Sequence, residues 1–226
     1  MDPSLTIIHC SMFWDAYVAI VYGILYLCFV AYPIAFQTER GWFPGIAGLS
    51  FIGIGVGVLI TIACEPLLRK IIHSHRRDPE TGQVPPEAMA SIVSLGAILL
   101  AVGQLWFAWT STPNVHWVVP ILAGLPFGAG NACVFIYAIN YMSRSYGIYT
   151  ASALAGNMFS RSLMGACLPL AGPSMYAALG LSWASTLLGL VEAACTSIPV
   201  VFYFYGHRIR KASPMIRELE KMRGEE

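Results

Sequence analysis

ALAGNMFSRSLMGACLPLAG, residues Ala153–Gly172, decides how the chain is to be read. The stretch has the length of a bilayer crossing, about 20 residues, yet Asn157 and Arg161 stand near its middle, one helical turn apart. A helix on the surface of a soluble core would carry a broad charged face. Here Arg161 is the single charge, so the stretch reads as a membrane span with a narrow polar stripe. At 100° per residue, Ala153, Asn157, Ser160, Arg161 and Met164 share one side, while Ala155, Phe159, Leu163 and Ala166 occupy the other. The first side is expected to face protein or a cavity, and the second lipid or a neighbouring apolar surface.

Working outward, the same composition holds along the chain. Its 226 residues are 57% hydrophobic and 11% charged, with a mean hydropathy of +0.64, where soluble domains carry roughly 25% charge. Apolar stretches of spanning length lie at about 16–36, 46–64, 88–110, 116–140, 151–172 and 182–205, each close to the ~20 residues a crossing needs. These runs are continuous rather than alternating, which excludes a β-barrel. The expectation is an all-α, polytopic membrane protein: an N-terminal segment (1–15), a six-span domain (16–205) and a cytosolic tail (206–226).

Charge gives the direction. Segment 65–87 holds Arg69, Lys70, Arg76 and Arg77; segment 141–150 holds Arg144; the tail holds Arg208, Arg210, Lys211, Arg217, Lys221 and Arg223. Arg40 stands alone on the other side. By the positive-inside rule both termini and the 65–87 loop are expected in the cytoplasm. The tail reads as a helix with a charged face or as a solvated segment. MDPSLTIIHC has no Lys or Arg ahead of its apolar residues, so it lacks the charged start of a secretory signal.

Several function classes lose support. A net charge of +1 gives no basic face for nucleic acid. The six cysteines form no Cys-x-x-Cys pair, so neither a disulfide framework nor a metal cluster is expected. His73 and His75 lack nearby ligands, and no metal or cofactor is expected there. Gly53, Gly55 and Gly57 fail the spacing of a nucleotide loop, because Val58 stands where the last glycine belongs; they read as close helix packing. With no catalytic motif in view, an enzyme is not expected.

Ionisable groups inside the membrane are the informative ones, since they face the bundle interior or a cavity. Arg161 lies roughly 15 Å into the fifth span, at 1.5 Å per residue. Glu192 reaches a similar depth in the sixth. Two readings stand: the two residues pair across adjacent helices, or Arg161 and Asn157 line a polar pathway with Glu192 elsewhere. The fourth span carries Pro120 and Pro126, a Gly124/Gly128 small-xxx-small pair, then Asn131, Tyr137 and Asn140. In the first span Tyr22, Tyr26, Phe29 and Pro33 make one aromatic face.

A resemblance joins these features. The strings YGILYLCFVAYPIAF and RGWFPGIAGLSFIGIGVG (within Tyr22–Gly57), PPEAM (Pro85–Met89), WFAWTS and VHWVVPILAGLPFGAG (within Trp106–Gly130), ASALAGNMFSRSLMGACLPL (Ala151–Leu170), and WASTLLG and IPVVFYFYG (within Trp183–Gly206) carry it. Together they resemble the C-terminal half of the major facilitator superfamily, in particular the fungal multidrug and polyamine type of drug:proton antiporter. The resemblance implies one six-span half of a twelve-span fold, each half an inverted three-plus-three repeat, with a substrate cavity between halves near the midplane. It implies that the first, second, fourth and fifth spans face the cavity or the other half. Tyr26, Asn131, Asn140, Asn157 and Arg161 become pathway candidates. It further implies a bilayer, a small organic substrate, no cofactor, and a second wall from a homodimer or from a missing N-terminal half. The plasma membrane is the expected site, with the vacuolar membrane as alternative. From the residues alone, a six-helix scaffold or regulatory subunit is the competing class.

Overall fold

The computed structural model describes residues 3–74, 87–146 and 150–211, and its regular structure there is entirely helical. Six stretches are long and apolar enough to cross a membrane: Phe13–Thr38, Pro44–Ala63, Ala88–Thr110, Val118–Ser145, Thr150–Leu179 and Leu181–Phe204. The rest of the 65–87 loop from His75 to Pro86, with Arg76, Arg77 and the histidine-pair reading, lies outside the described residues. So does the tail beyond Lys211.

Helix α1 runs Pro3–Pro33, so the expected border at residue 16 falls inside a helix. Proline is tolerated in a first helical turn, and the next proline, Pro33, comes just where the regular helix ends. A single π turn, Ile34–Thr38, completes the span. Gly41 then turns the chain with φ +68°, a left-handed conformation that glycine adopts at little cost. Arg40 fixes this turn to the next one along that face: its guanidinium donates to the carbonyls of Thr112 (2.6 Å), Val115 (2.8 Å) and Thr110 (3.4 Å).

The second span is α2 (Pro44–Ala47), a 3-10 turn (Gly48–Phe51) and α3 (Ile52–Ala63). A short amphipathic helix, α4 (Glu65–His73), follows. Helix α5 (Glu87–Thr110) is the third span, α6 (Val118–Tyr146) the fourth and α7 (Thr150–Leu179) the fifth. Gly180, with φ +76°, makes the tight turn into α8 (Leu181–Cys195), which continues as α9 (Ser197–Lys211) to form the sixth span.

The helices pack α1 on α7 and α3 on α6; α5 lies between α6 on one side and α8 and α9 on the other. First-on-fifth and fourth-on-second are equivalent pairings in a three-plus-three repeat. The second of them is built by glycine. A methyl group added at Gly53 would run into the Ile121 carbonyl, at Gly57 into that of Leu125, and at Gly128 into that of Ile54. Backbones this close leave no room for a Cβ, as in other small-residue membrane interfaces. Thr61 bridges the same seam, its hydroxyl facing the carbonyls of Gly57 (3.2 Å) and Ala129 (3.3 Å). Gly55 has nothing near its Cβ position; it sits on the open side of the span.

Aromatic rings fill the centre of the bundle. Tyr32 stacks between Phe51 (4.8 Å) and Phe107 (4.6 Å). Nearer the chain termini Trp14 contacts Tyr141 (4.8 Å) and Phe202 (5.3 Å), tying α1, α6 and α9 together.

At the start of α4, Glu65 accepts from Arg69 Nε and from the Tyr137 hydroxyl, both at 2.7 Å. The Arg69 bond above all, then the Tyr137 bond, holds the Glu65 carboxyl below its ordinary value of 4.5. A carboxylate so shifted stabilises the fold above its unfolded pKa and loses that contribution as pH falls through the folded one. Thermal stability in detergent should therefore decline as the solution is acidified below about 4.5, and Glu65→Gln should flatten that decline. The arginine is mostly exposed, so the effect should be small.

Candidate functional site

Helices α1, α6 and α7 bring one cation and several rings together. Arg161 sits over the Tyr22 ring, 5.5 Å from its centroid, and over the Phe135 ring at 6.0 Å. Tyr22 and Tyr26 lie with ring centroids 4.7 Å apart and hydroxyls hydrogen-bonded at 3.0 Å. Tyr22 reaches this place because Gly165, one turn beyond Arg161, has no side chain: a Cβ there would press on the Tyr22 ring. One turn before Arg161, the buried Asn157 donates its amide N–H to Asp15 Oδ1 at 2.8 Å. The polar side of α7 is thus the side that packs on α1. Phe159 and Leu163, on the opposite side, are exposed.

The helical wheel already separated those two sides. Three contributors to the cluster were not singled out from sequence as site residues. Asp15 falls at a segment border, Tyr22 reads only as part of the aromatic face of the first span, and Phe135 belongs to the ordinary aromatic content of spans. That aromatic face, with a glycine one turn from Arg161 on the fifth span, was the available signal for Tyr22.

Not every candidate joins. Asn140 is exposed on its helix, its amide donating to the Ile136 carbonyl at 2.8 Å. Asn131 is buried and donates to Phe127 of its own helix at 3.1 Å, leaving Oδ1 without a partner among the described residues. Glu192 is also buried, and neither of its carboxylate oxygens has a hydrogen-bond partner there. No ion pair joins it to Arg161; the one pair among the described residues is Arg69–Glu65. Of the two readings of Arg161, the geometry leaves the pairing unmade: the guanidinium lies on the aromatic face, and the carboxyl is enclosed elsewhere. Arg161→Ala and Glu192→Gln should then act independently, with stability changes that add to within about 0.5 kcal/mol. A larger coupling in a double-mutant cycle would restore the pair.

Chemically, the cluster offers a planar cation on aromatic faces. Among the described residues no acceptor takes the Arg161 N–H groups, so they are available to oxygen acceptors. Helices α3 and α7 also turn long apolar surfaces outward: Ile52, Val56, Leu59 and Ile60 from one, Phe159, Leu163 and Leu170 from the other.

Known proteins resemble this sequence. An MFS-type efflux pump, MFS2, of Trichophyton rubrum is 44% identical over 197 residues, 87% of this chain and 33% of that protein. The MFS-type transporter oryN of Aspergillus oryzae is 45% identical over 87% of the chain and 38% of its own length. The chain belongs to the major facilitator superfamily. A superfamily multidrug transporter, mdrA, of Aspergillus fumigatus is 42% identical over 86% of the chain and 32% of its own length. The chain therefore spans about a third of the superfamily proteins it matches. No family model matches it, and no solved structure does.

Proposed function

We propose that the chain supplies one wall of an efflux pathway for small organic molecules, completed by a second six-span unit. The observation that carries this reading is Arg161: a cation roughly 16 Å inside a span, resting on Tyr22 and Phe135 rather than on a carboxylate. A charge at that depth is costly and marks functional sites by default. An aromatic face with free N–H donors suits flat molecules that carry oxygen acceptors. The relatives' names, efflux pump and multidrug transporter, support the same reading.

The uncovered apolar sides of α3 and α7 are where the second unit docks, either an N-terminal half or a second copy. In this reading the Lys- and Arg-rich loops face the cytoplasm, the plasma or vacuolar membrane is the site, and a proton gradient drives export.

The test is a drug and polyamine sensitivity panel in cells lacking their own exporters. One set expresses the chain alone; another expresses it joined to the first six spans of a superfamily efflux pump. Resistance in the joined form and none in the chain alone is expected. Correctly inserted joined protein without resistance to any compound would overturn the proposal.

A further inference from the structure

From Arg161 the aromatic rings continue along the bundle as an unbroken series. Tyr22, under the guanidinium, meets Tyr26 with centroids 4.7 Å apart; Tyr26 meets Phe29 at 5.6 Å, and Phe29 meets Phe51 of the second span at 5.3 Å. Tyr22, Tyr26 and Phe29 stand four and three residues apart, which puts them on one face of α1. The last ring is held from behind, where the buried Tyr32 stacks on Phe51 at 4.8 Å. Phe29 lies seven residues beyond Tyr22, roughly 10 Å further along the helix. The series therefore leads toward the turn at Gly41 and away from the end that carries Arg69 and Lys70.

This face is open: Tyr26 is 37% and Phe29 55% exposed. It is not a lipid face, because Arg161 and two phenolic hydroxyls share it at mid-span, and such groups turn toward protein or a water-filled cavity. Its inner end offers donors. Arg161 has no carboxylate within ion-pair distance among the described residues. The Tyr22–Tyr26 hydrogen bond, 3.0 Å long, uses one of the two hydroxyl protons and leaves the other to donate. Its outer end offers rings, and rings with centroids roughly 4.5–7 Å apart attract one another beyond the area they bury. An anionic oxygen suits the first end and a flat ring system the second.

We propose that Tyr26, Phe29 and Phe51 form an outward aromatic track that selects flat aromatic acids, the acid group binding at Arg161 and the rings passing along the track. Tyr32 is a positioning residue, since it fixes the Phe51 ring without facing the track. The proposal rests on the transport reading above and narrows it to one substrate class. A flat cation is disfavoured by Arg161, and an acid of equal bulk without a flat ring system gains nothing from the stacking faces.

The test uses the full chain joined to the first six spans of a superfamily efflux pump, in cells lacking their own exporters. Initial export rates are measured for anthracene carboxylate, for adamantane carboxylate as a bulky acid without flat rings, and for ethidium as a flat cation. Anthracene carboxylate should be exported best. Phe29→Leu should raise its KM roughly 2- to 10-fold, the worth of one aromatic contact, with kcat unchanged, and Phe29→Trp should restore the parent value. Phe29 is exposed, so the leucine variant should accumulate normally; the order of the three compounds in the parent decides the matter even if it does not. Equal or better export of either control, or an unchanged KM in Phe29→Leu, would overturn the track. So would resistance to other compounds with no export of anthracene carboxylate, and in each of these cases the transport reading stands. Inserted protein that exports none of the three probes and protects against no compound removes the transport reading, and the track with it.

Discussion

Replacing Gly128 by leucine should leave little or no folded six-helix unit in the membrane. The position faces α3, and even a single Cβ there would meet the Ile54 backbone, with the carbonyl oxygen nearest. Overpacking in a core usually costs about 1–3 kcal/mol, because side chains can shift to absorb it. Here the obstacle is main chain, so the second and fourth spans must separate. Separation also breaks the neighbouring contacts at Gly53 and Gly57 and the Thr61 bridge to Ala129. A loss beyond the upper end of that range is expected, enough to remove most of a marginal stability of about 5–15 kcal/mol. The control is Gly55→Leu, two residues from Gly53 and Gly57 but with nothing near its Cβ position. It should insert and elute as the wild type does. Abundance and size-exclusion profile of a fluorescent fusion measure both variants. Normal behaviour of Gly128→Leu would show that the two spans are not in backbone contact.

That contrast also shows how far the sequence could be read. Gly53, Gly55 and Gly57 look equivalent in the string, and only the neighbour assigned by the fold separates two packing positions from an open one. The six spans were legible because crossing a bilayer imposes a length and an apolarity that each stretch meets by itself. The side of α7 that packs was legible for a related reason: the helical period alone puts Asn157 and Arg161 together. What they touch was not. Asp15 and Asn157 are 142 residues apart, and nothing local to either announces the other. Glu192 shows the opposite failure. Its charge and depth invited a partner of opposite sign, but equal depth on two helices does not place them face to face. The structure buries it instead, with neither carboxylate oxygen hydrogen-bonded among the described residues.

Arg161→Ala in the joined transporter should cut export sharply while leaving abundance near that of the parent. Its described contacts are two aromatic faces, worth roughly 0.5–2 kcal/mol together with little else to lose. Against that stands the cost of holding a cation near the bilayer centre, about 2.5–3.5 kcal/mol on insertion scales. The second term is at least as large, so the alanine variant should fold as well as the parent or better. The loss falls on the substrate. A charge-assisted hydrogen bond contributes about 1.5–3 kcal/mol, which corresponds to a roughly 10- to 100-fold weaker interaction. Arg161→Lys keeps the charge but not the planar fork that lies on a ring and presents several donors, so it should recover only part of the activity. Accumulation assays with a fluorescent substrate, normalised to surface abundance, read both variants. If alanine instead lowers abundance and surviving protein exports normally, Arg161 is a fastening between α1, α6 and α7, and the pathway must be sought on another face. If lysine matches arginine, charge alone is what the site requires, and the stacking of the guanidinium on Tyr22 has no part in transport.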